Sequence, residues 1–406
     1  MVNETDTAKR ISVTMISNAM NHHQFPFCDS MAEIEDVSFR FIATKPIAKE
    51  RLQTGFKDLN DSRPYIVRAY ASEEEKAAAL SLAENSDFVI YGSAPFFYIK
   101  NRIKRKKWTF LYSERLFKEV RGGDFLYLRT IAACTLRYAF NSHKRLRLLC
   151  ASAFSLNDYR FFRFKPAQTY TWGYFPPVGE KTFSELYAGK TQAGIVWIGR
   201  MISWKHPELA VALAERLRAA GVSFQMTMIG GGPLEKTLKE RVAQHGLEDY
   251  VRFSGVLGVD QARKELEKSQ IMIATSDRNE GWGAVVNEGM SGGCAVVASH
   301  LMGSVPYLIK HGENGLIFES GNADDLFRKV KDLLTNNELC GKLSQNAYNT
   351  ISEEWNGRVA AERLAELFRR YQIGQTAFSY KSGICSHTKR FSDRWIKRDP
   401  DINKMQ

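Results

Sequence analysis

Apolar runs of four to seven residues recur along the chain, separated by longer stretches whose apolar positions repeat at a helical period. In the first half, residues 11–17, 37–43, 65–69, 87–91, 108–112 and 146–151 read as strands, and the alanine-rich segment 72–84 reads as a helix between two of them. From Gln168 the pattern lapses into TYTWGYFPPVGEKTF, where Pro176 and Pro177 block a regular helix. Alternation then resumes, with strands expected at 194–198, 223–229, 250–254, 271–275 and 295–298 and closing helices at 323–334, 339–352 and 357–371. Strands that alternate with helices favour parallel, doubly wound sheets. The chain of 406 residues is therefore read as two α/β domains, 1–175 and 176–372, followed by a basic tail, 373–406. Each domain is large enough to bury a core of its own. Two facing sheets leave a cleft, a common place for a ligand.

Within the second domain, the segment NEGWGAVVNEGMSGG carries most of the chemical information. It follows the strand at 271–275 and holds the start of a helix that runs to Gly292 and Gly293, residues suited to a helix C-terminus. Glu280 and Glu288 are separated by seven residues. In one continuous helix they would stand roughly 12 Å apart along the axis. With Glu280 in the loop and Glu288 on the helix, both can face one ligand at the strand's carboxyl end, where open α/β sheets bind ligands. Gly281 and Gly283 leave backbone N–H groups bare near the helix start, available to an anion. Upstream, the strand at 194–198 runs into Gly199 and Arg200 and then Lys205, ahead of a helix opened by Pro207. Two cations leaving a strand's carboxyl end can clamp a diphosphate. Either feature alone reads as ordinary surface charge; their occurrence in one α/β unit gives them a chemical reading.

These residues resemble the retaining glycosyltransferases of family 4, also called group 1, which have the two-domain GT-B architecture. The resemblance is strongest from Gly194 to Phe318: IVWIGRMISWK, the turn IGGGP at 229–233, VRFSGVLG, the glutamate block, CAVVAS and GSVPYLIKHGENGLIF. It implies two Rossmann-like domains facing a cleft, and transfer of a sugar from a nucleoside diphosphate to a hydroxyl with retention at the anomeric carbon. Arg200 and Lys205, with the amides after Gly281, are then expected to neutralise the leaving diphosphate. Glu288 is expected to accept from ribose hydroxyls and Glu280 to face the donor sugar. Trp282, Gly283, Ala284, Gly199, Gly230 and Val256 complete the donor side. The strand ending at 254–256 is where the family holds the base, largely through backbone. No metal and no other cofactor is expected, because the sequence shows no cluster of ligand carboxylates or histidines. In this architecture the C-terminus often crosses back onto the first domain, and the tail is expected to do so.

The first domain departs from the family pattern. A glycine-rich loop is usual after the first strand; here the chain reads NAMNHHQFPFCDSM, with His22 and His23 as acceptor-side candidates. A histidine is usual at the end of the strand that here reads WTFLYSERLF, where Ser113, Glu114 and Arg115 stand instead. Glu114 is a candidate base and Arg115 a candidate partner for it or for a phosphate; the two also read as a structural ion pair. NHHQ, SER and WGYFP are similar to motifs in a small group of bacterial polysaccharide-cluster glycosyltransferases. That implies a role in surface polysaccharide, capsule or O-antigen assembly.

The net charge of +12 is unevenly placed, since 14 Lys or Arg stand against three acids between Lys100 and Arg147. Its densest part, KNRIKRKKW, interleaves basic and apolar residues and reads as attracted to an anionic membrane surface, or as a solvated charged face. No nucleic-acid-binding signature accompanies it, so nucleic acid is not an expected partner. The expected partners are a nucleotide-sugar donor and a glycan acceptor, the latter carried on lipid. Six scattered cysteines without metal-ligand spacing, a polar N-terminus and the lack of a long apolar run point to a cytoplasmic protein, soluble or peripheral on the cytoplasmic face of the membrane. Two other classes fit the architecture: a nucleotide-sugar epimerase, which would release free sugar nucleotide without an acceptor, and a non-catalytic nucleotide-sugar-binding subunit. Retention of Arg200, Lys205, Glu280 and Glu288 together argues against the second. The first strand lacks the G-x-G-x-x-G expected of a dinucleotide-dependent dehydrogenase.

Overall fold

The computed structural model of the chain describes residues 10–47, 58–118, 124–139 and 145–398. Its strands form two sheets, each wholly parallel. The first holds β1 (Ile11–Ser17), β2 (Val37–Ala43), β3 (Ile66–Arg68), β4 (Phe88–Tyr91), β5 (Trp108–Ser113), β6 (Leu146–Cys150) and β7 (Thr169–Thr171), in the order β3-β2-β1-β4-β5-β6-β7. The second holds β8 (Thr191–Ile198), β9 (Gln225–Ile229), β10 (Val251–Gly255), β11 (Ser269–Ala274), β12 (Ala295–Ser299) and β13 (Leu316–Phe318), in the order β10-β9-β8-β11-β12-β13. Central strands such as β4, β6 and β12 are buried along their whole length, as expected when helices cover both faces. The doubly wound pair of sheets is as the alternation indicated. Strand order reverses between β1 and β4 and between β8 and β11, and ligands of such sheets bind outside the strand ends at that switch point.

The local chemistry of the helices explains where they begin. Ser72 accepts from the amide of Glu75 and caps the helix Glu73–Asn85, whose first turn carries three acids. Thr182 and Glu185 form a reciprocal capping box on Phe183–Ala188. Pro207 opens Pro207–Ala219, preceded by His206 in the left-handed region at φ 48°. The helix expected at 339–352 is Asn337–Asn349 followed by a π-turn at Thr350–Glu354.

The chain returns to the first sheet earlier than residue 373. The helix Gly357–Gln372 lies against that sheet: Phe368 stacks on Phe88 (ring centroids 4.2 Å apart), Tyr371 packs on Trp108 (4.6 Å), and Arg369 forms a bidentate pair with Asp36 (2.6 and 2.7 Å). Hydrogen bonding to Arg369 holds the Asp36 carboxyl below the usual carboxylate range. Gly357 touches the backbone of Pro26 so closely that a Cβ would collide with it. The tail also meets the first domain. His387 bridges Tyr170 antiparallel, Cys385 N donates to Thr171 O (2.9 Å), and Thr171 N donates to Ser386 O (2.8 Å), so the tail borders β7. It then reaches the second domain, where His300 Nε2 meets the carbonyl of Asp393 (3.0 Å) and Trp395 Nε1 donates to the carbonyl of His300 (3.0 Å).

The basic run splits into two kinds of residue. Arg102 is wholly buried and donates to the carbonyls of Ser86 (2.6 Å), Asp87 (2.8 Å) and Trp108 (2.7 Å). Trp108 faces the core under Arg145 and Arg147, and Arg105 pairs with Glu84. The expected aromatic-tipped basic face is thereby corrected: its tryptophan and one of its arginines are structural, and Lys104 and Lys106 remain exposed. All six cysteines are buried and unpaired with one another. Among the described residues no helix is long and apolar enough to cross a membrane.

Candidate active site

The two runs singled out in the second domain leave neighbouring strands at its switch point. After β8 the chain makes the turn Gly199–Arg200, a short 3₁₀ helix at Ser203–Lys205, and His206; after β11 it forms the loop from Thr275 to Gly283. Gly230, which follows β9 at φ 126°, lies so close to the carbonyl of Gly199 that no side chain fits. That contact sets the floor from which Arg200 and Lys205 rise. They line one cavity of about 1110 Å³ together with Glu280, Lys118, His206 and Asp277. Lys205 Nζ forms a direct ion pair with Glu280 Oε2, and both side chains are mostly buried. Arg200 has its guanidinium 5.6 Å over the ring of Trp204. Val256 is exposed beside the 229–233 turn, just past β10.

Glu288 sits one turn into the helix Val285–Ser291 and faces the first domain. His22 Nε2 lies 3.9 Å from its Oε1. The packing of both domains around this carboxylate raises it above the usual range, with the charges of Arg263 and Lys205 pulling it back. His22 and His23 are in ring contact (centroids 3.7 Å), and His23 stacks on Tyr174 (5.6 Å, interplanar angle 8°). His22, His23 and Glu288 bring one ligand atom each to within 4.8 Å of one another. This is a juxtaposition of residues from two domains, and their separation in sequence hid it.

Glu114, at the end of β5, reaches across the cleft to Gly281, where a Cβ would collide with its carboxylate. Its two oxygens accept from Tyr174 Oη (2.6 Å) and Lys118 Nζ (3.0 Å). Arg115 points away from it. That side chain is buried over the ring of Phe154 (5.2 Å) and 3.9 Å from Asp393 of the tail, so the two do not form the ion pair that their adjacency allowed. Alternation at a strand end, which sends successive side chains to opposite sides, accounts for the split.

Trp282 requires a correction. Expected at the donor, it is wholly buried, donates from Nε1 to Asn287 Oδ1 (2.8 Å) and stacks on Trp355 (5.8 Å), with its edge filling the space beside Gly173. Its side chain serves the junction between domains. Gly283, at φ 86°, and Ala284, the N-cap, stand where expected before the helix.

His206 escaped the sequence reading and belongs to the same cavity. Its Nδ1 lies 2.7 Å from Glu208 Oε1 and its Nε2 3.2 Å from Asp277 Oδ2. Hydrogen bonds to Asp277 and Glu208 raise its pKa to about 9, so it is a cation at neutral pH. Burial pushes Asp277 up, but the bonds from His206 and from the amide of Asn279 outweigh it and hold that carboxyl low. Because an unperturbed histidine titrates near pH ~6.5, the pair contributes its full stability below that pH. The contribution is lost as pH rises through about 9. In His206→Asn, a replacement suited to the left-handed backbone, melting temperature should therefore lose the part of its decline that the native protein shows over this window. Thermal melts of both proteins at intervals from pH 6 to 10 test this; parallel curves would refute it.

Residues 180–350 match the family model described as Glycosyl transferases group 1. The second domain belongs to the group 1 glycosyltransferases. A curated relative, the amylovoran biosynthesis glycosyltransferase AmsK of Erwinia amylovora, is 28% identical over 181 residues, which is 43% of this chain and 44% of that protein. A GDP-mannose-dependent alpha-(1-6)-phosphatidylinositol monomannoside mannosyltransferase of Mycobacterium tuberculosis is 22% identical over 48% of this chain and 51% of its own length. The chain thus spans about half the length of these curated relatives. Solved structures extend the likeness to both domains. A glycosyltransferase from Rickettsia africae superposes with a TM-score of 0.63 at 15% identity, over 90% of this chain and 99% of that one. HepE of Anabaena, solved with UDP, gives 0.62 at 14% identity, over 88% and 98%. The fold is GT-B, and the group 1 segment supplies the wall that bears Arg200, Lys205, Glu280 and Glu288.

Proposed function

We propose that the chain is a retaining glycosyltransferase that moves a sugar from a nucleoside-diphosphate-sugar to a hydroxyl of a glycan acceptor carried on lipid, in surface polysaccharide assembly. One observation carries this reading: Arg200, Lys205 and Glu280 line a single cavity at the carboxyl ends of β8 and β11. As the bond between the anomeric carbon and the diphosphate oxygen breaks, its electron pair leaves with the diphosphate, and negative charge grows where Arg200 and Lys205 stand. The diphosphate competes with Glu280 for the Lys205 ammonium and frees that carboxylate to accept from the sugar's hydroxyls. Glu288 accepts from the ribose. The acceptor oxygen bonds to the anomeric carbon from the face the diphosphate leaves, and Glu114, held by Tyr174 and Lys118 against Gly281, takes its proton. The relatives' polysaccharide and glycolipid roles support the acceptor class.

In this reading the cations replace a divalent metal. Turnover of labelled sugar nucleotide with acceptor extract should survive excess EDTA. Complete loss that an added divalent ion restores would overturn the metal-independent mechanism and direct attention to His22, His23 and Glu288. Conversion of the sugar nucleotide to an isomer with no acceptor present would instead favour an epimerase.

A further inference from the structure

Beside the donor cavity, on the other side of the segments that build it, lies a second pocket of about 770 Å³. The two pockets share walls whose residues alternate between them. In the loop after β11, Asp277, Asn279 and Glu280 line the donor cavity, whereas Arg278 lines the second pocket; after β5, Lys118 faces the first, and Arg115 and Phe117 face the second. Arg160 and two tail residues, Arg390 and Arg394, bring the arginines around it to five. Two carboxylates oppose them, and neither saturates the guanidinium of Arg278. Asp158 Oδ2 is occupied by the backbone amides of Leu116 (2.6 Å) and Phe117 (3.0 Å). Asp393 lies between Arg115 (3.9 Å) and Arg278 (3.7 Å), and its separation from Arg278 exceeds the ~2.7–2.9 Å of a charge-assisted hydrogen bond. The enclosed Nε of Arg278 makes no hydrogen bond, and Arg160, Arg390 and Arg394 have no ion-pair partner among the described residues.

Arginines drawn from both domains and the tail around a space of that size are suited to a multiply charged, oxygen-rich anion, because each guanidinium presents a planar fork of donors. We propose that this pocket receives a phosphate or diphosphate group of the acceptor, beside the cavity that holds the donor diphosphate. The role of that anion as acceptor rests on the glycosyl-transfer reading; its binding does not. Phe161, 73% exposed at the pocket's edge and in edge contact with Phe117 (5.9 Å), offers an apolar surface to a lipid that bears the phosphate.

The test is a titration of the full chain with inorganic diphosphate at low salt, followed by calorimetry, with melting temperature as the check on folding. Two binding events are expected. Arg200→Ala should abolish one, and Arg278→Gln or Arg394→Gln should weaken the other by about tenfold or more, since each removes a charge-assisted hydrogen bond to the anion. Arg394 is exposed and has no ion-pair partner among the described residues, so its replacement should leave folding intact. Asp393→Asn should tighten the second event, because it removes the competing carboxylate. Farnesyl diphosphate distinguishes the sources of the phosphate: tighter binding than inorganic diphosphate that is lost in Phe161→Ser supports a lipid carrier, and equal binding supports a phosphorylated soluble group. A single event abolished by Arg200→Ala, or a second event untouched by Arg278→Gln and Arg394→Gln, would overturn the proposal. A second event without the Arg200-dependent one would leave this pocket standing and remove the donor assignment instead.

Discussion

Arg200→Ala and Lys205→Ala should each lower turnover by about 10² or more, the usual cost of removing one group that meets charge growing in a transition state. The two variants are not equivalent as tests. Lys205 is paired with Glu280, and the carboxylate side chain is 16% exposed, so truncating the lysine strands a largely buried charge and should also lower the melting temperature. Arg200 forms no ion pair among the described residues and rests on Trp204. Its truncation leaves no unpaired carboxylate behind, and a fall in turnover there reads directly on the diphosphate. A correctly melting Arg200→Ala protein with native rates would remove the donor assignment.

Glu280→Gln and Glu288→Gln should fail in different ways. Glu280 shares the donor cavity with the two cations, so its loss should cut turnover by about tenfold or more while free nucleoside diphosphate still binds near normally. Glu288 stands on the helix opposite His22 and is assigned to the ribose. Its amide variant should weaken binding of free nucleoside diphosphate and of the sugar nucleotide together, with less effect on turnover at saturation. Calorimetry with the free nucleotide, run beside initial rates, separates the outcomes; matching profiles would show that the two carboxylates do not have separate roles.

Much of this arrangement is legible in the chain because parallel strands must be apolar on both faces and because loops at a switch point must carry the polar chemistry. Runs such as 271–275 and 295–298 therefore announce strands, and the residues just beyond the first announce the site. What escapes is whatever depends on contact between distant segments. β7, three buried residues in an aromatic stretch, gains its neighbours from β6 on one side and residues 385–388 on the other, and read alone it resembles a linker. β13 is equally short. Trp282 looked like a ligand contact because it sits inside the glutamate block, yet packing against Gly173 and Trp355 turns it inward. His206 gave no signal, since its partner Asp277 lies 71 residues away.

The return of residues 357–398 to the first sheet sets the order in which the protein can mature on the ribosome. The N-terminal domain emerges first, yet the faces of Phe88, Trp108 and Phe110 stay uncovered until Phe368 and Tyr371 arrive. The half of the molecule that is made first is therefore finished last. During that interval its apolar surface and the border of β7 lie open to chaperones or to aggregation, and chains halted before residue 357 would enter the cell with that surface bare.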